Sequence, residues 1–224
     1  FNNNSKFVLL TATGTYFFIM LWIQAWRYDS FHANAYDLSY VNQSIYCTGR
    51  CFDSLKENFL HSTLSVNSTY LGEHFSPILA VFSPLYSLWN SMYLIFFIQT
   101  LFLSAGALLI YRIARLYQVN RGVSACLSVC YLIYQPLRAA NTFDFREDNL
   151  FIVLILLAIY FMRTARIVLF WSTILLTLLV KENAGILTAL LGMIIVFSEE
   201  LFPGAANASK RQADAPLLDG RRVA

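Results

Sequence analysis

Residues 91–111 read SMYLIFFIQTLFLSAGALLIY, 21 residues without a charge, and Arg112 and Arg115 follow directly. About 20 apolar residues suffice for a helix to cross roughly 30 Å of hydrocarbon, so this stretch reads as a membrane crossing. The composition agrees. Charged residues are 13% of the 224, where a globular protein carries roughly 25%, and hydrophobic residues are 58%. Aromatics reach 16%, with 19 Phe and 13 Tyr, and the mean hydropathy is +0.55. Too few polar side chains remain to coat a water-soluble domain, and the same arithmetic excludes a disordered chain, a disulfide-dense secreted scaffold and a collagen-like repeat. The net charge of +3, from 16 Lys+Arg and 13 Asp+Glu, gives no basis for binding nucleic acid. The length suits one domain.

Working outward from residues 91–111, further apolar runs cover Phe7 to Trp26, Gly122 to Leu137, Leu150 to Met162, Ile167 to Val180 and Ala184 to Phe197. The expected fold is therefore an all-α polytopic transmembrane helical bundle of six spans, the shorter runs borrowing flanking residues or sitting in thinned bilayer. Residues 75–90 are apolar but hold Pro77 and Pro84, and they read as an interfacial or re-entrant piece. With Lys6 cytoplasmic, short cytoplasmic loops and the tail carry Arg112, Arg115, Arg121, Arg163, Arg166, Lys210, Arg211, Arg221 and Arg222, against Arg138, Arg146 and Lys181 opposite. Nine against three is the bias the positive-inside rule requires, and it sets the N-terminus in the cytoplasm of a plasma or inner membrane. Residues 201–224 read as a disordered cytoplasmic tail. Phe1 in place of Met implies a chain that is part of a longer product, and no signal peptide is recognisable.

Residues 27–74 then form a large extracytoplasmic loop. Cys47 and Cys51 lie in it, on the oxidising side, and either close a disulfide across the short turn or remain two thiols. Cys126 and Cys130, one turn apart in an apolar span, read as packing residues. Asn42-Gln43-Ser44 and Asn67-Ser68-Thr69 match the N-glycosylation pattern. The sequence has no phosphate-cradling Gly loop, no zinc-type Cys/His spacing and no nucleophile elbow, and three histidines do not make a multi-His metal site. What it offers is ionisable residues on one side of the membrane: Asp37, Glu73 and His74 in the large loop, Asp144, Arg146, Glu147 and Asp148 in the next, and Lys181 and Glu182 in the last. Each has a bland reading, such as a helix cap for Asp37 or a snorkelling side chain for Lys181. Polar clusters at membrane depth are costly, however, and tend to mark sites.

Four blocks carry a family resemblance: Ala35-Tyr36-Asp37-Leu38, Gly72-Glu73-His74-Phe75-Ser76-Pro77, Asn141-Thr142-Phe143-Asp144-Phe145 and Val180-Lys181-Glu182-Asn183-Ala184-Gly185. The chain resembles the predicted multi-pass membrane proteins called domain of unknown function 2079, which in turn resemble GT-C glycosyltransferases, enzymes that take sugars from polyprenyl-phosphate carriers. The resemblance implies transfer at the extracytoplasmic face and places Asp37, His74 and Lys181 at the positions of that family's outer-loop acid, His-Pro segment and outer Lys; with the clustering of charge on one side, the expectation is Asp37, His74 and Asp148 as catalytic groups and Lys181, Arg146 and Arg138 holding the donor phosphate. Glu73, Asp144, Glu147 and Glu182 would support them, and Asp37 and Glu73 would hold a divalent metal, Mg or Mn, if one takes part. Membrane lipid, a polyprenyl-phosphate sugar and other membrane subunits are the implied partners. The chain departs from the family pattern at Asn42, at Arg146-Glu147-Asp148 and at Asn183. A layout is not an activity. The competing expectation is a non-enzymatic membrane protein, a structural subunit or transporter, or an inactive fragment of such an enzyme.

Overall fold

The computed structural model describes residues 4–50, 59–65 and 68–197. Among these residues every regular element is helical, apart from an isolated bridge between His61 and Thr69. Helix α1 is Asn4–Asp29, α2 Ala35–Arg50, α3 Leu79–Leu88, α4 Met92–Leu116 and α5 Arg121–Ile133. Then come α6 Gln135–Thr142, α7 Asn149–Arg163, α8 Ile167–Leu178 and α9 Ala184–Phe197.

Helix α4 is the axis of the assembly, touched by α1, α5, α6 and α7. Its start is fixed by Ser91, whose hydroxyl accepts from the Tyr93 N–H at 3.3 Å. At 25 residues it is about 37 Å long. Helices α1 and α4 are long and apolar enough to cross a membrane, whereas α3, α5, α7, α8 and α9 are apolar but hold 10–17 residues each. The apolar surface faces outward: Phe18, Trp22, Val168 and Trp171 are all more than 60% exposed, which water would not tolerate at this density.

Three local features differ from the linear reading. The run 122–137 is broken at Tyr134, because Pro136 cannot supply the N–H that would continue α5 and instead opens α6. The large loop contains α2, whose buried Leu38, Val41, Ile45 and Thr48 recur at helical spacing and pack on α3. Helices α2 and α3 approach so closely that a Cβ on Gly49 would stand 2.9 Å from the Ser83 carbonyl oxygen. Cys126 and Cys130 are not packing residues: both are exposed on the outward face of α5, because Ser124, Ala125 and Ser128 take the inward positions. The proposed pairing of Cys47 with Cys51 and the tail 201–224 fall on residues outside those described.

Polar side chains tie the helices together inside the apolar bundle. Gln24 of α1 donates to the Thr100 hydroxyl at 2.6 Å and to Asn141 Oδ1 at 3.0 Å, while Asn141 donates to the Tyr16 hydroxyl at 3.2 Å. Gln99 Oε1 accepts from the Arg146 N–H at 3.1 Å and from Asn149 at 3.0 Å, which anchors the loop before α7. In a low-dielectric interior each such group needs its partner. Asn141→Leu should therefore cost about 1–3 kcal/mol, because it strands Tyr16 and Gln24. Ser128→Ala should cost about 0.5 kcal/mol or less, since that buried hydroxyl bonds only its own helix, at Ser124 O. Denaturation midpoints of the purified protein in detergent measure both.

Candidate functional site

The end of the bundle that carries the α1–α2 turn also gathers the loops before α3, α7 and α9. Asn34 caps α2 by accepting from the Tyr36 N–H at 3.1 Å, so Asp37 is not the cap. Asp37 instead stands in the first turn, where its Oδ2 accepts from Asn34 Nδ2 at 2.9 Å. The Asn34 N–H donates to buried Asp144 Oδ2 at 2.9 Å, which fastens the head of α2 to the loop before α7. After the 3-10 turn Tyr70–Gly72 the chain runs through Glu73 and His74 to Ser76. Two bonds hold this stretch to the α8–α9 turn: Ile78 N–H to Leu179 O at 3.0 Å, and Phe75 N–H to Glu182 Oε2 at 3.0 Å. Fully buried Val180 and Ala184 pin that turn on either side of Lys181.

These loops enclose a cleft of about 360 Å³. Asp37, Glu73, His74, Arg146, Glu147 and Lys181 line it, with Tyr36, Tyr40 and Tyr70. The tyrosines form a stack along it, Tyr36 to Tyr40 at 6.3 Å and Tyr40 to Tyr70 at 4.5 Å between ring centroids. Lys181 Nζ is the hub, 3.3 Å from Glu147 Oε1 and 3.1 Å from Asp148 Oδ2. Glu147 Oε1 also accepts from the Tyr70 hydroxyl at 3.1 Å and the Ser76 hydroxyl at 3.2 Å. Asp148 Oδ1 is buried with no partner. His74 Nδ1 lies 3.2 Å from Glu182 Oε1. Arg146 stacks its guanidinium over Phe143 at 4.7 Å.

Burial works against charge on Lys181, but the Glu147 charge and the hydrogen bond to Asp148 outweigh it and hold the ammonium above its ordinary value. Slight burial likewise opposes ionisation of Glu182, yet its own backbone N–H, His74 and the Phe75 N–H lower its pKa. The Tyr40 hydroxyl is pushed up to about 12, and that of Tyr70 higher still, first by burial and then by neighbouring carboxylates. Both stay protonated donors at neutral pH.

Asp37, Glu73, His74, Arg146, Glu147 and Lys181 are thus brought together, with Asp148, Asp144 and Glu182 bonded to their immediate surroundings. Arg138 is not among them: it is exposed on α6 and does not line the cleft. Sequence reading missed Tyr70, Ser76 and the tyrosine stack; of these, Ser76, inside the Gly72–Pro77 block, and Tyr36, beside Asp37 in the Ala35–Leu38 block, gave a signal. Among the described residues no group of three or more His, Cys, Asp or Glu side chains is arranged to hold a metal ion. On the opposite face of α2 an apolar groove of about 570 Å³ is lined by Tyr28, Phe31, Leu38 and Met92. Asn42 faces this groove and its Oδ1 accepts from the Tyr86 hydroxyl, while Asn67 lies outside the described residues.

Comparison with known families matches residues 27–214 to the predicted membrane proteins of domain of unknown function 2079, a range that takes in every residue of the cleft. The chain belongs to this family. No curated protein and no solved structure matches it.

Lys181→Met should destabilise the protein by about 3 kcal/mol, because it leaves the Glu147 carboxylate buried without a counter-charge. Adding Glu147→Gln should recover part of that loss. The ammonium pKa is raised on folding, so its contribution is complete below the ordinary lysine value of about 10.4 and fades as pH rises through the higher folded value. Melting in detergent from pH 7 to 11, wild type against Lys181→Met, should show the gap constant to about pH 10 and narrowing above it. A Lys181→Met melt equal to wild type at neutral pH would remove the pair's structural role.

Proposed function

We propose that the cleft is the active site of a GT-C-like membrane glycosyltransferase, which moves a sugar from a polyprenyl-phosphate donor to an acceptor hydroxyl at the extracytoplasmic face. The observation that carries this reading is the meeting of Asp37, Glu73, His74, Arg146 and Lys181, from four separate stretches, around one cleft at the rim of an apolar bundle. On this reading the chain crosses the membrane six times with its N-terminus in the cytoplasm, and shorter helices such as α7 and α8 complete the crossings.

Asp37 acts as general base. It takes the acceptor's hydroxyl proton while that oxygen attacks the anomeric carbon; the glycosidic C–O bond forms as the bond from the anomeric carbon to the phosphate oxygen breaks. The polyprenyl phosphate leaves with the electron pair, and Lys181 and Arg146 stabilise the charge that develops on it. The pair His74–Glu182 at the mouth orients the acceptor. The donor's prenyl chain follows the apolar groove beyond α2 toward the lipid. Formal charge on the lining is negative, since Asp37, Glu73 and Glu147 face only Arg146 and Lys181. That sign favours a donor that arrives with Mg or Mn, which Asp37 and Glu73 would hold and which would neutralise the phosphate.

A second reading is supported by Lys181 being already matched by two carboxylates: a non-catalytic subunit in which Lys181, Glu147 and Asp148 simply clip two loops together. Transfer assays on the full chain in lipid nanodiscs, with a set of polyprenyl-phosphate sugars and a soluble acceptor mixture, separate the two. Asp37→Asn should lower turnover by about 10²-fold or more with an unchanged melting midpoint. Full activity in Asp37→Asn removes the base assignment, and failure of the wild type to bind any such donor favours the clip.

A further inference from the structure

A second pocket lies beside the cleft, between α6 and the start of α7. It measures about 480 Å³ and is lined by Ala139, Ala140, Phe143, Arg146, Asp148 and Asn149. Asn149 holds its walls together, since Nδ2 donates to Ala140 O at 3.2 Å and to Gln99 Oε1 at 3.0 Å. The two alanines of α6 leave the space open. The pocket shares Arg146 with the cleft and none of its other lining residues.

Two charged groups in this pocket are incompletely matched. The Arg146 guanidinium lies 4.7 Å over the Phe143 ring, which orients its plane. Among the described residues it forms no ion pair, not even with Asp148 two positions on. Asp148 turns the other way and gives Oδ2 to Lys181 at 3.1 Å, while its Oδ1 is buried with no partner. Lys181 also serves Glu147 at 3.3 Å, so one ammonium faces two carboxylates and one negative charge is left over. Of the two carboxylates Asp148 is the one an incoming group can reach, with 34% of its side chain exposed against 4% for Glu147.

The geometry points to a binding site in this pocket for a zwitterion of the phosphoethanolamine type, a phosphodiester joined through two carbons to a primary ammonium. The phosphodiester oxygens take the planar fork of Arg146, which suits paired anionic oxygens. The ammonium donates to Asp148 Oδ1 and supplies the charge that Lys181 leaves uncompensated. A plain phosphate would satisfy Arg146 and be repelled by Asp148, and a simple amine would do the reverse. A quaternary ammonium brings the charge but no N–H for that oxygen. The volume falls within the roughly 300–1,000 Å³ of small-molecule sites. Headgroups of this chemistry are concentrated at the rim of an apolar membrane bundle, which makes phospholipid the source. The proposal does not rest on the transferase reading.

Native mass spectrometry of the full chain tests it, after delipidation and reloading with an equimolar mixture of phosphatidylethanolamine, phosphatidylcholine and phosphatidylglycerol of identical chains. Wild type should retain phosphatidylethanolamine about tenfold over each of the others, a factor that one charge-assisted hydrogen bond can supply. Asp148→Asn should bring phosphatidylethanolamine and phosphatidylcholine within about twofold of each other, and Arg146→Gln should lower retention of both. Ala139→Trp fills the pocket with both charged groups in place and the lining of the cleft unchanged, so it should abolish the preference. That variant decides the matter if a charge variant does not fold. Water-soluble glycerophosphoethanolamine separates the sources: displacement only in large excess supports the lipid, and displacement at equal concentration supports the same contacts made by a free ligand. Equal retention of phosphatidylethanolamine and phosphatidylcholine by wild type overturns the proposal, as does a preference that survives both Asp148→Asn and Ala139→Trp. Neither result touches the transferase reading, which the Asp37→Asn assay tests.

Discussion

Lys181 and its two carboxylates form a charge arrangement that cannot be taken apart in pieces. Glu147 is almost fully buried, and an ionised carboxylate in such a place costs several kcal/mol unless a cation and hydrogen-bond donors surround it. Its single oxygen Oε1 collects three of them, from Lys181, Tyr70 and Ser76, and they come from three different stretches of chain. The requirement to satisfy one buried oxygen therefore brings the α8–α9 turn, the 3-10 turn and the entry to α3 onto the loop before α7. Gln99 and Asn149 hold that same loop from beneath, so the position of Glu147 is fixed from both sides. The cleft is the space left between parts joined in this way.

The bundle is charged differently at its two ends. In water such a dipolar molecule would be unremarkable in energy, but a hydrophobic belt between the ends leaves no place for charge except at the rims. Acids and their matching bases then crowd one rim as hydrogen-bonded groups, as Lys181 with Glu147 and Asp148 and His74 with Glu182 show. A rim of paired acids and bases suits a boundary at which polar substrates meet the protein.

Much of this was legible in the sequence, because hydrophobic length and charge position are linear properties. The helices at 4–29, 92–116, 149–163, 167–178 and 184–197 lie where uncharged runs predict them. The ionisable residues of the cleft were legible as a set, since the expected topology sends all of them to one side. What escaped was whatever depends on contacts between distant segments. Helix α2 carries polar residues on both faces, Asn42 and Gln43 among them, and its apolar stripe shows only once α3 is known to cover it. Asn141 looks like a loop residue by type, yet it is fully buried at the meeting point of α1, α4 and α6. Arg138 was expected at the site by its order along the chain, but it stands exposed on α6, beyond the break at Tyr134, and does not line the cleft. The outward turn of Cys126 and Cys130 follows from the same cause, since pattern alone does not tell a lipid-facing side of an apolar helix from a packed one.

The two readings of the cleft meet on Lys181, and the burial of its partners suggests how one residue can serve both. Glu147 is locked by three hydrogen bonds and cannot leave the ammonium without exposing a buried charge. Asp148 is different: its side chain is about a third exposed, it holds Lys181 through one oxygen only, and its other oxygen has no partner. Of the two carboxylates on Lys181, Asp148 is the more exposed and the less constrained. On the transferase reading proposed above, an incoming phosphate oxygen takes the place of Asp148 on Lys181 while Glu147 keeps the ammonium in position. The released carboxylate, already beside the cleft, would then be free to accept a proton or a hydroxyl hydrogen bond from the substrate.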